Sequence, residues 1–261
     1  MLRAFSTAAT GMTAQQMIVD TIANNLANIN TNGFKRSQVD FQDLMYIKLQ
    51  EAGRNATADT VAPSGFEIGS GVSPGSSMKI FNQGEMQNTG VSLDVAIAGD
   101  GFFAVQTPNG VRYTRDGSLR VNADGTLVNA MGYAISPTIT IPSDARSISI
   151  GKDGTVTVQS GSSSTSTTLG TLQIARFANA SGLSSEGGNL LAETPASGAA
   201  MLGTAGLNGY GSIEQGFLEK SNVQMVTELV NLITAQRAYE TNSRAIKAGD
   251  DMLTAANRLI G

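Results

Sequence analysis

Heptad-spaced apolar positions occupy both ends of the chain and are missing from its middle. From Met225 they recur at alternating steps of four and three: Met225, Leu229, Leu232, Gln236, Tyr239, Ser243, Ile246, Asp250, Leu253, Asn257 and Ile260. Most are apolar, and the mean step of about 3.5 residues is that of a coiled-coil seam. Ser221, with Gln224 three residues on, predicts the capping box that opens this helix. The stretch 221–261 holds no Pro, and no Gly before Gly249. At about 1.5 Å per residue it would span roughly 55–60 Å, more than the width of a small domain. At the other end Leu2, Phe5, Ala9, Met12, Gln16, Val19, Ala23 and Leu26 step by three and four, with Ile18 and Ile22 widening the apolar face. An Asn-rich run follows (Asn24, Asn25, Asn28, Asn30, Asn32), and Gly33 supplies a C-terminal stop. Asn is a good terminator, but so dense a run suggests amide hydrogen bonds between subunits. Both seams carry a Gln, which fixes register at some cost in stability. The plainer alternative is a globular domain whose first and last helices pack together.

The middle reads differently. Val39, Phe41, Leu44, Met45, Ile47 and Leu49 fit either a short helix or an extended arm. Residues 51–65 are polar and unpatterned, a long loop or an exposed hairpin, and Phe66–Val72 alternates like a strand broken by glycines. From Met78 to about Phe177 short alternating runs such as Ser92–Ile97, Ser147–Ile150 and Thr155–Val158 are separated by Asp-Gly and Asn-Gly turns. Residues 178–217 are Gly-rich and loop-like. The fold class expected is α+β: long N- and C-terminal helices forming a coiled coil, extended arms, and a central all-β domain of short antiparallel strands. The predicted division is 1–33 with 218–261 as the helical domain, 34–77 with 178–217 as connector arms, and 78–177 as the β domain. The β middle is too small to cover both apolar stripes, so other copies of the chain are the simplest cover.

Composition narrows the chemistry. The net charge is −4 with no basic patch, which argues against nucleic acid as a partner. No apolar run approaches the length that crosses a bilayer, so no membrane insertion is expected, and the N-terminus lacks a signal-peptide core. Cys and His are both zero, which removes most metal sites, Cys nucleophiles and Ser-His triads. No cofactor is expected. The Asp-Gly pairs match no EF-hand, and the glycines at 69–75 lack a phosphate-loop ending. Asp94 and Asp100 are only the weakest of catalytic candidates.

Ala23-Asn24-Asn25-Leu26-Ala27-Asn28-Ile29-Asn30-Thr31-Asn32-Gly33-Phe34-Lys35 resembles the N-terminal signature of bacterial flagellar rod and hook proteins. Asn222-Val223, Glu228, Leu232-Ile233 and Ala235-Gln236-Arg237-Ala238-Tyr239-Glu240-Thr241-Asn242 resemble their C-terminal signature. Asp94 through Phe103 and Tyr113 through Ser118 resemble the family between them; Leu119 stands where Phe is common, and Thr227 where an acidic residue is. The resemblance covers essentially the whole chain. Length excludes a hook protein, and Tyr46, Pro63, Ser64, Gly65, Gly69 and Gly71, within the segment 46–72, resemble the insert of members that build the distal rod. A proximal rod or short hook-type protein is the alternative.

The resemblance implies a non-enzymatic subunit that stacks into a hollow, rigid drive shaft and transmits torque from motor to hook. It implies many copies of the same chain as partners, together with proximal rod proteins, the hook or its cap, ring-bushing proteins of periplasm and outer membrane, and the flagellar type III export apparatus. The residues expected to carry assembly are Leu2, Phe5, Met12, Val19, Leu26, Asn24, Asn25, Asn28, Asn30, Gly33 and Phe34 at one end. At the other they are Met225, Leu229, Leu232, Ile233, Gln236, Arg237, Tyr239, Asn242, Ile246 and Leu253.

Overall fold

The computed structural model describes residues 2–51, 55–57, 60–61, 64–161 and 166–260. The fold is α+β, and it divides into two compact units. Residues 1–26, 37–78 and 225–261 form a helical unit; 27–36 and 79–224 form a β unit.

In the helical unit, α1 (Leu2–Ala27) and α2 (Met225–Ile260) lie antiparallel. Gly249 lies beside the Phe5 ring and Gly11 beside Asn242, while Gln16 and Val19 share a groove with Gln236, Tyr239 and Glu240. Small residues set this contact: Ala14 and Ala235 are buried, and a Cβ on Gly249 would stand 2.8 Å from the Phe5 ring. The positions of α2 that are buried or half-buried among the described side chains are Glu228, Leu232, Ala235, Ala238, Asn242, Ser243, Ile246, Gly249, Leu253 and Ala256. They share Leu232, Ser243, Ile246 and Leu253 with the predicted seam. Met225, Leu229 and Tyr239 of that seam are exposed instead. A pattern of large apolar positions misses a contact built on Ala and Gly, which lets two backbones come close.

α2 starts three residues later than the capping box predicts, at Met225 rather than Asn222. Ser221 Oγ accepts a hydrogen bond from the Val223 N–H at 3.3 Å, ahead of the helix. The neighbouring Asn222 side chain is bonded to three backbone groups of the β unit, which ties the chain to that unit just before the helix.

The segment read as a short helix or arm over 39–49 and a loop or hairpin over 51–65 is, among its described residues, a two-stranded ribbon. Ser37–Asp43 pairs with Val72–Lys79, Ile47–Gln50 with Phe66–Ile68, and Asn55–Thr57 with Thr60–Val61. Its base is tied to α1: the Asn25 side chain accepts from the Ser37 N–H and donates to its C=O, both at 2.9 Å, and Thr10 Oγ1 accepts from the Val72 N–H. This is a use of Asn25 within the chain, where the Asn-rich run suggested contacts between chains.

In the β unit the central strand is Phe102–Thr107. One edge pairs with Gly110–Thr114 across the Pro108-Asn109 turn; the other is shared by Ala134–Ser136 and Gln173–Arg176. Side chains alternate across a strand, and here both faces are covered. Phe103, Val105 and Ile174 point into a core with Val95, Ile97, Leu127, Ile135, Val156 and Ile213. Phe102, Ala104 and Ala175 point into a second one with Tyr113, Phe177, Leu183 and Leu191. The stretch 178–217, expected as an extended arm, belongs to this unit. Leu190–Ala192 pairs with Gly110–Thr114, Met201–Thr204 with Gln173–Arg176, and Ser212–Gln215 with Val95–Ala98. Its glycines serve tight turns between short strands, which composition alone does not separate from loop.

Candidate functional site

The most unusual chemistry lies inside the β unit. Glu219 sits in the short strand Phe217–Glu219, and its side chain has no exposed surface. One oxygen accepts from Lys35 Nζ at 2.6 Å and from the Gly84 N–H at 2.9 Å. The other lies 3.2 Å from Arg115 Nε, a charge contact out of hydrogen-bonding alignment. Lys35 also donates to the Asn82 C=O, and Arg115 Nη2 to the Gly99 C=O. Burial pushes the Lys35 ammonium below the usual lysine value; Glu219 pulls it back, and Arg115 adds a smaller lowering. Burial likewise lowers Arg115, against the pull of Glu219 and Asp100. Gly33 brings the backbone into this site with φ +67°, and a Cβ there would stand 2.6 Å from the Asp116 nitrogen.

Asn222 ties the same region together from its other side. Its carbonyl oxygen accepts from the Arg36 N–H, and its amide nitrogen donates to the C=O groups of Ile80 and Asn82. Only a carboxamide offers both donor and acceptor in that fork. Ile80 N–H bonds the Arg36 C=O, and Gly33 N–H the Glu219 C=O. Segments 33–36, 80–84 and 219–222, close to where the chain leaves and re-enters this unit, are thus held side by side. Sequence reading named Lys35 and Asn222 only as parts of motifs and did not single out Arg115 or Glu219. The available signal was a charge within the apolar run Phe217-Leu218-Glu219 of a weakly charged chain.

The helical unit presents a different surface. Met225, Val226, Leu229, Val230, Ile233 and Tyr239 are exposed on α2. On the ribbon Met45 is 88% exposed, and Leu44, Tyr46, Ile47, Leu49 and Phe66 are exposed too. The Tyr46 ring lies over Gly69, and Gly71 abuts Thr10. Of the other predicted assembly residues, Phe5, Met12, Val19, Leu26, Leu232, Asn242, Ile246 and Leu253 are half-buried. Gln236, Arg237, Asn24, Asn30, Ser64 and Gly65 are exposed. Asn28 accepts from the Thr31 hydroxyl, and Phe34 lies under Lys79 Nζ at 4.9 Å. The Leu2 side chain and Pro63 lie outside the described residues. Among those described, no cluster of acidic side chains fits a metal ion, and no helix is long and apolar enough to cross a membrane.

The family described as flagella basal body rod protein matches residues 5–35. The flagellar hook protein FlgE/F/G D1 domain matches 96–158, and the flagellar basal body rod FlgEFG protein C-terminal segment matches 214–259. Over 262 residues the chain is 47% identical to the flagellar basal-body rod protein FlgG of Borreliella burgdorferi, with 99% of each chain covered. The chain belongs to the FlgG family. It is 48% identical to FlgG of Buchnera aphidicola subsp. Schizaphis graminum over 251 residues, 96% of each chain, and 39% identical to FlgG of Bacillus subtilis over 259 residues, 97% of each. As an FlgG-family member it is a structural subunit of the flagellar basal-body distal rod, not an enzyme, and it polymerises with copies of itself. Lys35, Arg115 and Glu219 fall one in each of the three matched segments, whereas the ribbon from Ser37 to Lys79 lies outside all of them. The near full-length agreement with FlgG therefore extends over the ribbon as well.

Proposed function

We propose that copies of this chain join through the apolar surfaces left open on the helical unit, and so build the hollow, rigid shaft that carries torque from motor to hook. The observation that carries this reading is the exposure of Met225, Leu229, Ile233 and Tyr239 on α2 together with Leu44, Met45, Tyr46, Leu49 and Phe66 on the ribbon. A repeated heterologous contact whose rotation does not close gives an open helical filament. Burying such side chains gains about 25 cal/mol per Å² of apolar area, and each face is one that a neighbouring copy can cover. In this reading the two helices, α1 and α2, line the central channel, and the exposed stripe of α2 is the inter-subunit half of its seam. The ribbon, rooted on α1, reaches an adjacent subunit and stiffens the shaft. Neighbours along the axis are proximal rod proteins and the hook or its cap. The ring bushing of periplasm and outer membrane surrounds the shaft, and export runs through the flagellar type III apparatus.

The ribbon supplies the test. The Leu44 N–H bonds the Gly71 C=O at 2.9 Å, so Met45–Ser70 can be replaced by an Asn-Gly turn between those two residues. The shortened chain is expected to polymerise into tubes of lower bending stiffness, measured from electron micrographs. Tubes as stiff as those of the full chain would remove the stiffening role from the ribbon.

A further inference from the structure

Every buried member of the two apolar cores of the β unit lies between Val95 and Ile213. The charge cluster is drawn differently. Lys35 comes from before the cores, Arg115 from within them and Glu219 from after them. A chain extending only as far as Ile213 would hold both complete cores and both cations, but not their carboxylate. The Lys35 and Arg115 side chains are 2% and 4% exposed, and Glu219 contacts both. Asp100 also acts on Arg115, but it is exposed, where solvent and salt weaken its pull. Glu219 holds Arg115 by charge: Nη1 of Arg115 and Oε2 of Glu219 are both buried without a hydrogen-bonding partner.

Taking an unpaired cation out of water is strongly unfavourable. Closing the cores before Glu219 arrives would do so twice. Compared with well-packed apolar groups of the same volume, a buried ion cluster adds little or no stability, so net stabilisation does not account for its presence. We propose that the cluster is a folding gate, in which Lys35 and Arg115 oppose closure of the β unit until Glu219 docks against both. Glu219 ends the strand Phe217–Glu219, which pairs with Met86–Asn88, and its C=O accepts from the Gly33 N–H. Its docking therefore gathers 33–35, 82–88 and 217–219 in one step. α2 begins shortly afterwards, at Met225. The β unit thus closes only when the strand that leads into α2 is in place, although its apolar cores are complete in the chain before that strand.

The experiment refolds the full-length chain from urea and follows, by pulse-labelled amide exchange, how fast Phe102–Thr107 becomes protected. Glu219→Gln removes the charge and keeps the shape. A gate places its loss in the folding rate, as a fall of about a hundredfold or more with the unfolding rate changed less than about threefold. Glu219→Asp keeps the charge and shortens the reach, so its loss is expected in the unfolding rate instead. Replacing the whole cluster, Lys35→Met/Arg115→Met/Glu219→Met, leaves no cation to oppose closure, and that chain should fold at least as fast as the natural one. Three results would overturn the gate: a Glu219→Gln loss that falls on unfolding, a Glu219→Asp chain as slow to fold as Glu219→Gln, or a triple variant as slow as either. If Glu219→Gln does not refold at all, the triple variant decides alone. Its folding at the natural rate supports the gate, and its failure to fold overturns it.

Discussion

Glu219 carries the greatest consequence of any single residue. Two cations share its carboxylate, and none of the three side chains has more than 4% of its surface exposed. Removing one member of such a buried group leaves uncompensated charge, at a cost of about 3–5 kcal/mol. Glu219→Gln keeps the shape and an acceptor for the Gly84 N–H, so its effect isolates the charge. A loss of that size is expected in the unfolding free energy obtained from urea denaturation. Arg112→Gln breaks the Arg112–Glu186 pair at the surface, 2.6 Å long, and should cost less than about 1 kcal/mol. Equal losses from the two would mean that burial does not amplify the Glu219 contacts. The Lys35 end of this cluster was visible in the sequence only as part of the Gly33-Phe34-Lys35 motif. Its partners stand 80 and 184 positions away (115 − 35 and 219 − 35), and no local pattern marks a pairing at such distance.

Among the elements, the helices and the ribbon share one property: each is long, and each buries little. In α2 only Glu228, Ala235 and Gly249 are buried among the described side chains, and Ile47–Gln50 of the ribbon is exposed throughout. Ordering each backbone residue costs roughly 1–2 kcal/mol, and a two-stranded ribbon is marginal alone. In the dilute chain, amide exchange should therefore be faster through α2 and the ribbon than through the strand Phe102–Thr107, whose first four residues are buried. Polymerisation should slow exchange in α2 and the ribbon while leaving that strand nearly unchanged. Uniform protection before and after assembly would remove the case that neighbours complete these elements. The helical period was legible in the sequence because 3.5-residue spacing is a local property. Which stripe faces α1 was not, because the contact runs through Ala14, Ala235, Gly11 and Gly249, residues too small to register as a seam.

For the molecule as a whole, the chain crosses between the two units at 26/27, 36/37, 78/79 and 224/225. Asn222 lies just inside the last crossing and bonds three backbone groups from two earlier segments. A chain ending at Gln224 should keep a folded β unit and lose polymerisation. One ending at Ser221 should melt several degrees lower, since three hydrogen bonds at about 1 kcal/mol each move the midpoint of a domain this size by roughly 2–4 °C per kcal/mol. Indistinguishable melting of the two would show that Asn222 ties nothing. By itself the sequence determined the two terminal helices, the short strands between 78 and 177, the family and the role: heptads, turn pairs and signature motifs are short-range patterns, and the chain must display them wherever it folds. Tertiary structure decided that 178–217 is sheet rather than arm, that 37–79 is a paired ribbon, and that Lys35, Arg115, Glu219 and Asn222 meet. Those outcomes depend on hydrogen bonds and charges satisfied between distant segments, and such partners exist only once the chain has folded.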